Sequence, residues 1–146
     1  ASDHAIRLGG LRVRAVDLDG GGETLFMVRD GQLEVEPGGY AVFGGSERSP
    51  LPAHLDYSFA ADGVTSLRAG AVVTLESCGE LVDQTLYRTL PSEGSWSLDG
   101  AQPPTAELND DEDAWCTDAE PPDPGGPMTE LGVPGTPGEA NRECVQ

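Results

Sequence analysis

The sequence predicts an all-β fold, either an antiparallel β-sandwich or a small barrel. Apolar residues recur in short runs that are separated by Gly, Pro and Asp, and no segment shows the 3.6-residue period of an amphipathic helix. Glycine, with 20 of the 146 residues, and proline, with 12, are abundant, which is typical of folds with many tight turns. Short strands at regular spacing with turn signals between them are characteristic of both architectures.

The first long strand is predicted to begin at Leu11. Leu11, Val13 and Ala15 alternate with two arginines and a valine, so one face of the strand would be buried. The sequence that follows, DLDGGGE at 17–23, consists mostly of turn-forming residues. We therefore expect a strand and then a tight turn.

Four short apolar runs continue this pattern as a meander of strands. Glycines in the connections permit the positive φ angles that tight turns require. The four runs are TLFMV (24–28), QLEVE (32–36), YAVFG (40–44) and DYSFA (56–60).

The last two predicted strands, AVVTLES (71–77) and ELVDQTLY (80–87), form a hairpin. Cys78 and Gly79 separate them, which is the length of a two-residue hairpin loop. The predicted core positions are Leu11, Val13, Leu33, Val35, Tyr40, Val42, Phe59, Leu67, Val73, Leu75, Leu81 and Leu86.

The composition changes after this hairpin. Residues 89–141 carry twelve acidic side chains, no basic one and most of the prolines. Such a composition is typical of a disordered tail, but two tryptophans and a cysteine are costly to leave in water. We expect an irregular segment that folds back over the strands with Trp115 as its anchor. The chain is predicted to be a single domain, 1–146, with a strand-rich part (1–88) and an acidic, Pro/Gly-rich part (89–146).

The three cysteines do not follow the spacing of a zinc site, and the two histidines lie far from them in the sequence. An oxidised pair is the better interpretation. We expect Cys116 to bond Cys144, which would close a loop of 28 residues and staple the acidic segment in place. Cys78 would then bond an upstream segment or a partner chain, or stay an unpaired thiol.

The charge of the chain excludes several classes of partner. With 26 acidic and 8 basic residues, the net charge of −18 repels nucleic acids and anionic lipids. No apolar run approaches the roughly 18 residues that a membrane helix needs. We expect neither nucleic-acid binding nor membrane insertion.

Four motifs follow one another over nearly the whole chain. They are IRLGGLRVR (6–14), EVEPGGYAVF (34–43), VTSLRAGAVVTLESCGELVDQTLY (64–87) and GTPGEAN (135–141). In this order they resemble the lamin-tail domain, in the form found in exported bacterial proteins. The resemblance implies an immunoglobulin-like antiparallel β-sandwich without enzymatic activity. It also implies a secreted or cell-surface location in a bacterium, as a binding or anchoring module that often lies beside hydrolases.

One part of the family pattern is missing from this chain. The family opens with an apolar strand and a strand of the type Trp-x-Glu-apolar-x-Asn, whereas this chain begins with ASDHA. We expect the sheet to be completed by a β-strand donated from an upstream segment or another chain, since an incomplete sandwich exposes strand edges. The alternative is that this member does without those strands.

Asp17 and Asp19 have the spacing of the first two ligands of an EF-hand calcium loop. The third ligand position would be Gly21 and the position of the bidentate glutamate is Val28, so the register then fails. Turn formation by Asp and Gly explains the residues better, and Ca²⁺ binding is the alternative.

A second acidic cluster, NDDEDAW at 109–115, places Asp110, Asp111 and Asp113 close before a tryptophan. Hard oxygen ligands this close together can hold Ca²⁺ with carbonyls and water. A solvated acidic loop is the preferred interpretation. We therefore predict no cofactor, with Ca²⁺ as the alternative at either cluster.

No catalytic residues are predicted. His4 lies near the start of the chain and His54 lies in a proline-rich turn, and the sequence has no G-x-S-x-G nucleophile elbow. The predicted function is a non-catalytic structural or binding module of an exported or surface bacterial protein, with a protein or polysaccharide partner. One alternative is a calcium-dependent carbohydrate-binding or adhesive module, in which the tryptophans would stack on sugars. The other is an accessory domain of a secreted hydrolase.

Overall fold

The computed structural model describes residues 3–64, 67, 69–121 and 133–145, and within them the chain is all-β, as predicted. Most strands pair antiparallel. Helix in these residues is limited to one α-helical turn, α1 (Ala106–Asn109), and the 3₁₀ turns Ala60–Asp62 and Glu112–Ala114. The strands are β1 (Ile6–Arg7), β2 (Arg12–Asp17), β3 (Glu23–Met27), β4 (Glu34–Val35), β5 (Phe43–Gly44), β6 (Tyr57–Ser58), β7 (Ala71–Ser77), β8 (Glu80–Tyr87), β9 (Ser95–Leu98) and β10 (Trp115–Asp118).

A four-stranded antiparallel sheet with the order β3-β2-β7-β8 is the largest sheet of the described chain. The register places Val13 opposite Phe26 on one side and Leu75 on the other, so these side chains share one face, the inner face. Arg14 pairs with Leu25, and both lie on the opposite, outer face. The predicted alternation of burial along β2 is confirmed, because Val13 and its inner-face neighbours are covered while the outer face is not.

Aromatic side chains cover the inner face. Phe26 is 3% exposed, and its ring centroid lies 4.8 Å from that of Phe59. Phe43 and Tyr57, from the parallel pair β5–β6, lie with their centroids 6.0 Å and 6.5 Å from Phe26. The hydroxyl of Tyr57 also donates to the carbonyl of Met27 at 2.9 Å. The β5–β6 pair is therefore held on the sheet by ring packing and a hydrogen bond.

Three of the predicted strands, β4, β5 and β6, are only two residues long. Near β5 and β6 an aspartate side chain replaces part of the strand pairing. The carboxylate of Asp56 accepts the backbone N–H of Val42 at 2.8 Å, and the carbonyl of Val42 accepts the backbone N–H of Asp56 at 3.0 Å. Aspartate competes in this way with the hydrogen bonds of a sheet, which shortens the strands.

The predicted core is confirmed in part. Two predicted members, Val13 and Phe59, are buried. Those that are half-buried are Leu11, Leu33, Val35, Val42, Val73, Leu75 and Leu86. The prediction was wrong for three exposed residues, Tyr40 (44% exposed), Leu67 (41%) and Leu81 (63%). Tyr40 and Leu67 lie in connections between strands, where period-two alternation does not apply.

Leu81 is exposed because β8 contains a bulge. Leu75 pairs with Asp83, but the next residue of β7, Glu76, pairs with Leu81, so Val82 is the extra residue. An extra residue moves every side chain on one side of it to the other face of the strand. The alternation that places Leu75 inside therefore places Leu81 outside.

The β7–β8 hairpin has the predicted bounds and the predicted two-residue loop. Cys78 has φ +53° and Gly79 has φ +84°, as the favoured hairpin turns with two left-handed residues require. A left-handed conformation is uncommon for a residue with a side chain. Cys78 is exposed and its thiol is free. In the described part of the chain, no helix has the length and apolar character needed to cross a membrane.

Candidate binding groove

The acidic segment contains a regular hairpin, where an irregular segment was expected. β9 and β10 pair antiparallel, with Trp115 opposite Leu98 and Thr117 opposite Trp96. Leu98 is 8% exposed, so the hairpin has a buried side of its own. The prediction of an irregular segment was wrong only for β9 and β10, since most other described residues of 89–146 lie outside helices and strands. The sequence pattern did not indicate these two short strands because a long acidic connection separates them.

The two tryptophans of the chain lie together on this hairpin. Trp96 and Trp115 are diagonal neighbours, a relation that lets large side chains touch across a strand pair. Their ring centroids are 6.4 Å apart and their planes differ by only 4°. Trp96 is 36% exposed, whereas Trp115 is half-buried, so the pair has one accessible ring and one supported ring.

Trp115 is held in place by hydrogen bonds that join the acidic segment to the main sheet. Its indole N–H donates to the carbonyl of Asn109 at 3.0 Å, and the hydroxyl of Thr85 donates to the same carbonyl at 2.8 Å. The side-chain amide of Asn109 donates to Asp83 at 2.7 Å. Asn109 ends α1, which forms because the hydroxyl of Thr105 caps its first turn. Asn109 therefore joins the acidic segment to the main sheet, and Trp115 is hydrogen-bonded to Asn109.

The C-terminal residues brace the other side of the hairpin. Cys116, next to Trp115, is bonded to Cys144 with a Cα–Cα distance of 5.9 Å, and this is the predicted disulfide. Asp118, whose side chain is only 5% exposed, accepts from the guanidinium of Arg142 at 3.0 Å. Because the bracing comes from residues far along the chain, the position of Trp115 depends on long-range contacts.

Asp99, directly after β9, binds the C-terminal segment through its carboxylate. The backbone N–H groups of Cys144 and Ala101 both donate to it at 3.0 Å. The next residue, Gly100, donates its N–H to the carbonyl of Arg142 at 2.9 Å, and a Cβ at this glycine would overlap a backbone carbonyl. The two stretches of chain therefore run in direct backbone contact.

These hydrogen bonds make the stability pH-dependent. The N–H donors of Cys144 and Ala101 lower the pKa of Asp99. A carboxylate with a lowered folded-state pKa stabilises the fold above its unfolded pKa, about 3.9, and this contribution is lost as the pH falls through the folded value. We expect Asp99→Asn to lower the urea midpoint at pH 7, and we expect the difference from the native protein to vanish as acid protonates Asp99. Equal urea midpoints of the variant and the native protein at pH 7 would contradict this role of Asp99. So would a difference between the two midpoints that stays the same in acid.

A groove lies beside the tryptophan pair, at the end of β8. Two adjacent cavities of about 290 Å³ and 270 Å³ share the lining residues Leu86, Tyr87, Trp96 and Trp115, and we call their union the aromatic groove. Successive strand residues face opposite ways, so Leu86 and Tyr87 place the groove across the end of the sheet. Its apolar end is completed by Leu67, Thr85 and Leu90, and its charged end by Arg88, Thr89, Glu112 and Asp113.

The charged end carries an ion pair and a further carboxylate. Arg88 donates to Glu112 through two nitrogens, at 2.7 Å and 3.3 Å, so its guanidinium is already engaged. Asp113 follows Glu112 and adds a negative charge. Burial raises the pKa of the Tyr87 phenol, and the negative charge of Asp17 adds to this, so the ring stays neutral at pH 7. The described lining side chains thus carry one net negative charge.

Asp17 and Asp19, the alternative calcium ligands, take part in the hydrogen bonds of a local turn. Asp19 accepts the backbone N–H of Gly21 at 2.8 Å in the turn after β2, and Asp17 receives the N–H of Gly20 on its backbone carbonyl. In the described residues, no three His, Cys, Asp or Glu side chains are placed to hold a metal ion. The structure therefore does not assemble a metal site from the first cluster.

The second acidic cluster shows the same behaviour. Asp111 accepts the backbone N–H of Asp113 at 3.0 Å and so caps the 3₁₀ turn, and Asp110 is the C-cap residue of α1. Of the three, only Asp113 lines the groove. His4 is exposed and His54 is half-buried, and neither lines the groove.

The groove as a whole was missed by the sequence analysis. Its residues come from the end of β8, from β9 and from the turn before β10, and nothing local indicates that these parts meet. The available signal was the pair of tryptophans, because large aromatic residues are costly to place in an otherwise acidic, polar segment. Comparison with known proteins gives no match for the chain among protein-family models, curated proteins or solved structures.

Proposed function

We propose that this chain is a non-catalytic binding module of an exported or surface bacterial protein, and that it binds its ligand in the aromatic groove. The observation that carries the proposal is the fixed tryptophan pair, in which Trp115 is held by Asn109 and by the neighbouring disulfide while Trp96 remains accessible. A rigid aromatic surface loses little entropy on binding, which is what a recognition site needs. The proposed architecture is a lamin-tail-like β-sandwich, completed by a strand from outside the chain.

The disulfide supports a location outside the cytoplasm. Bonds such as Cys116–Cys144 persist in oxidising compartments and are rare in reducing ones. The strongly acidic composition adds to this picture by keeping the chain apart from nucleic acids and anionic membrane surfaces. Export therefore fits the chemistry of the chain, and the lamin-tail resemblance points the same way.

The chemistry of the groove favours binding over catalysis. Nucleophilic catalysis requires a nucleophile within reach of a base. The described lining residues include no serine, cysteine or histidine, and the hydroxyl of Thr85 donates to the carbonyl of Asn109. The strongest polar group there, Arg88, is committed to Glu112. Stacking, apolar contact and the negative charge of Asp113 are the interactions that this surface offers.

The proposal is tested by NMR titration of the native protein with a panel of neutral oligosaccharides, small amines and apolar fragments. At least one class should shift the indole N–H signals of Trp96 and Trp115 in a saturable way. Trp96→Ala should weaken the binding that the remaining indole signal of Trp115 reports, because it removes the accessible ring. Leu25→Ala, on the outer face of the sheet, should leave it intact. If no member of the panel binds, or if binding shifts only residues elsewhere, the groove is not a binding site.

A further inference from the structure

We propose that the aromatic groove recognises an alkylated ammonium group, such as a quaternary ammonium, rather than a neutral or anionic ligand. The inference rests on the proposed function, because it names the ligand class of the same groove. It combines three properties of the described residues: the aromatic faces, the sign of the charge at one end and the apolar lining at the other.

The aromatic faces are the first property. Tyr87, Trp96 and Trp115 all line the groove, and the faces of tryptophan and tyrosine carry negative partial charge. A cation within about 6 Å of such a ring is attracted, most strongly by tryptophan. Trp115 is fixed by its hydrogen bond to Asn109, and Trp96 stacks against it, so the two rings are in place before a ligand arrives. The neutral phenol of Tyr87 keeps this environment constant around pH 7.

The sign of the charge is the second property. Glu112 and Asp113 line the charged end together with Arg88, and the guanidinium of Arg88 is paired with Glu112. The carboxylate of Asp113 is therefore left to attract a bound cation. The net charge of −18 on the whole chain concentrates cations near its surface and repels anions.

The apolar end is the third property, and it selects among cations. Leu67, Leu86 and Leu90 line a cavity of about 270 Å³ there. A primary ammonium is strongly hydrated and would lose its water against leucine, whereas the methyl groups of an alkylated ammonium gain from the same contact. A sugar ring can stack on tryptophan, but its hydroxyls would also meet this leucine surface without hydrogen-bond partners.

The test compares choline with 3,3-dimethylbutan-1-ol, in which a carbon atom replaces the charged nitrogen without changing the shape. Binding to the native protein is followed by isothermal titration calorimetry and by the indole N–H signals of Trp96 and Trp115. We expect choline to bind about twofold to thirtyfold more tightly than the alcohol, since a cation–π contact is worth about 0.5 to 2 kcal/mol. Raising the salt concentration should weaken choline binding and leave the alcohol unaffected.

Substitutions at Trp96 and Asp113 measure how much the aromatic ring and the carboxylate each contribute to choline affinity. Trp96→Ala should reduce choline affinity about twofold to thirtyfold by removing an aromatic ring. Asp113→Asn should reduce it about twofold or more by removing a charge. Trp96→Phe should keep part of the affinity, because a smaller face remains. Leu25→Ala on the outer face is the matched control and should bind as the native protein does.

The outcomes distinguish this inference from the proposed function. Equal binding of choline and the alcohol at the indole signals would overturn ammonium recognition and leave an apolar binding groove. Binding of a neutral oligosaccharide such as cellohexaose at the same signals, without choline binding, would overturn it in favour of glycan recognition. If neither these probes nor the wider panel shifts the indole signals, both the inference and the proposed function fail.

Discussion

Replacing Phe26 by alanine is expected to lower the free energy of unfolding by about 3 to 5 kcal/mol, the cost of removing a large aromatic side chain from a packed core. Phe26 is 3% exposed and its ring contacts those of Phe43, Tyr57 and Phe59. It is the ring that the β5–β6 pair and the main sheet share. Its removal leaves a cavity between the β5–β6 pair and the main sheet, so the loss of stability should lie well above that of an ordinary surface substitution.

Urea unfolding, followed by far-UV circular dichroism, measures the effect. The matched control is Leu25→Ala, the preceding residue of β3, which lies on the outer face and is 47% exposed. Its cost should stay below about 1 kcal/mol, as for most surface positions. If the two variants lose similar stability, the register that places Phe26 inside is wrong.

Removing the disulfide with the double variant Cys116→Ser/Cys144→Ser is expected to lower the free energy of unfolding by about 3 to 4 kcal/mol. The bond closes a loop of 28 residues, and without it the unfolded chain gains the corresponding entropy. The double variant avoids a lone thiol that could mispair with Cys78. The loss of stability should be largest at β10, because Cys116 lies in this strand directly after Trp115.

Chemical unfolding under non-reducing conditions measures this loss, and limited proteolysis of the C-terminal segment locates it. Cys78→Ser is the control, since that thiol is free and exposed, and it should unfold like the native protein. Native-like stability of the double variant would mean that Asp99, Asp118 and Arg142 alone hold the segment.

The parts of the fold that depend on local rules were predictable from sequence. The β7–β8 hairpin has the predicted bounds because period-two alternation and a two-residue loop act over neighbouring residues. The burial of Val13 followed from the same alternation. The prediction that Leu81 is buried was wrong because the pairing of β8 with β7 produces a bulge at Val82, and alternation in the sequence does not reveal this bulge.

The groove depends on contacts between distant residues, and this is why only its tryptophans could be singled out beforehand. Trp115 is placed by Asn109 and Thr85, and the hairpin that carries it is braced by residues near the C-terminus. The hydrophobic pattern of the sequence does not indicate the close contact between the backbone at Gly100 and the backbone of the C-terminal segment. Arg88 and Glu112 similarly become neighbours through folding alone.

The free thiol of Cys78 allows a distance within the native protein to be measured. Cys78 lies at one end of the β7–β8 hairpin, while the groove lies at the other end of β8, roughly 25 Å away at about 3.3 Å per strand residue. Both tryptophans of the chain line that groove, and the other two cysteines are joined to each other. A dye coupled to Cys78 would therefore accept resonance energy from one defined pair of donors, and the transfer efficiency would report the length of the sheet in the native protein without any substitution.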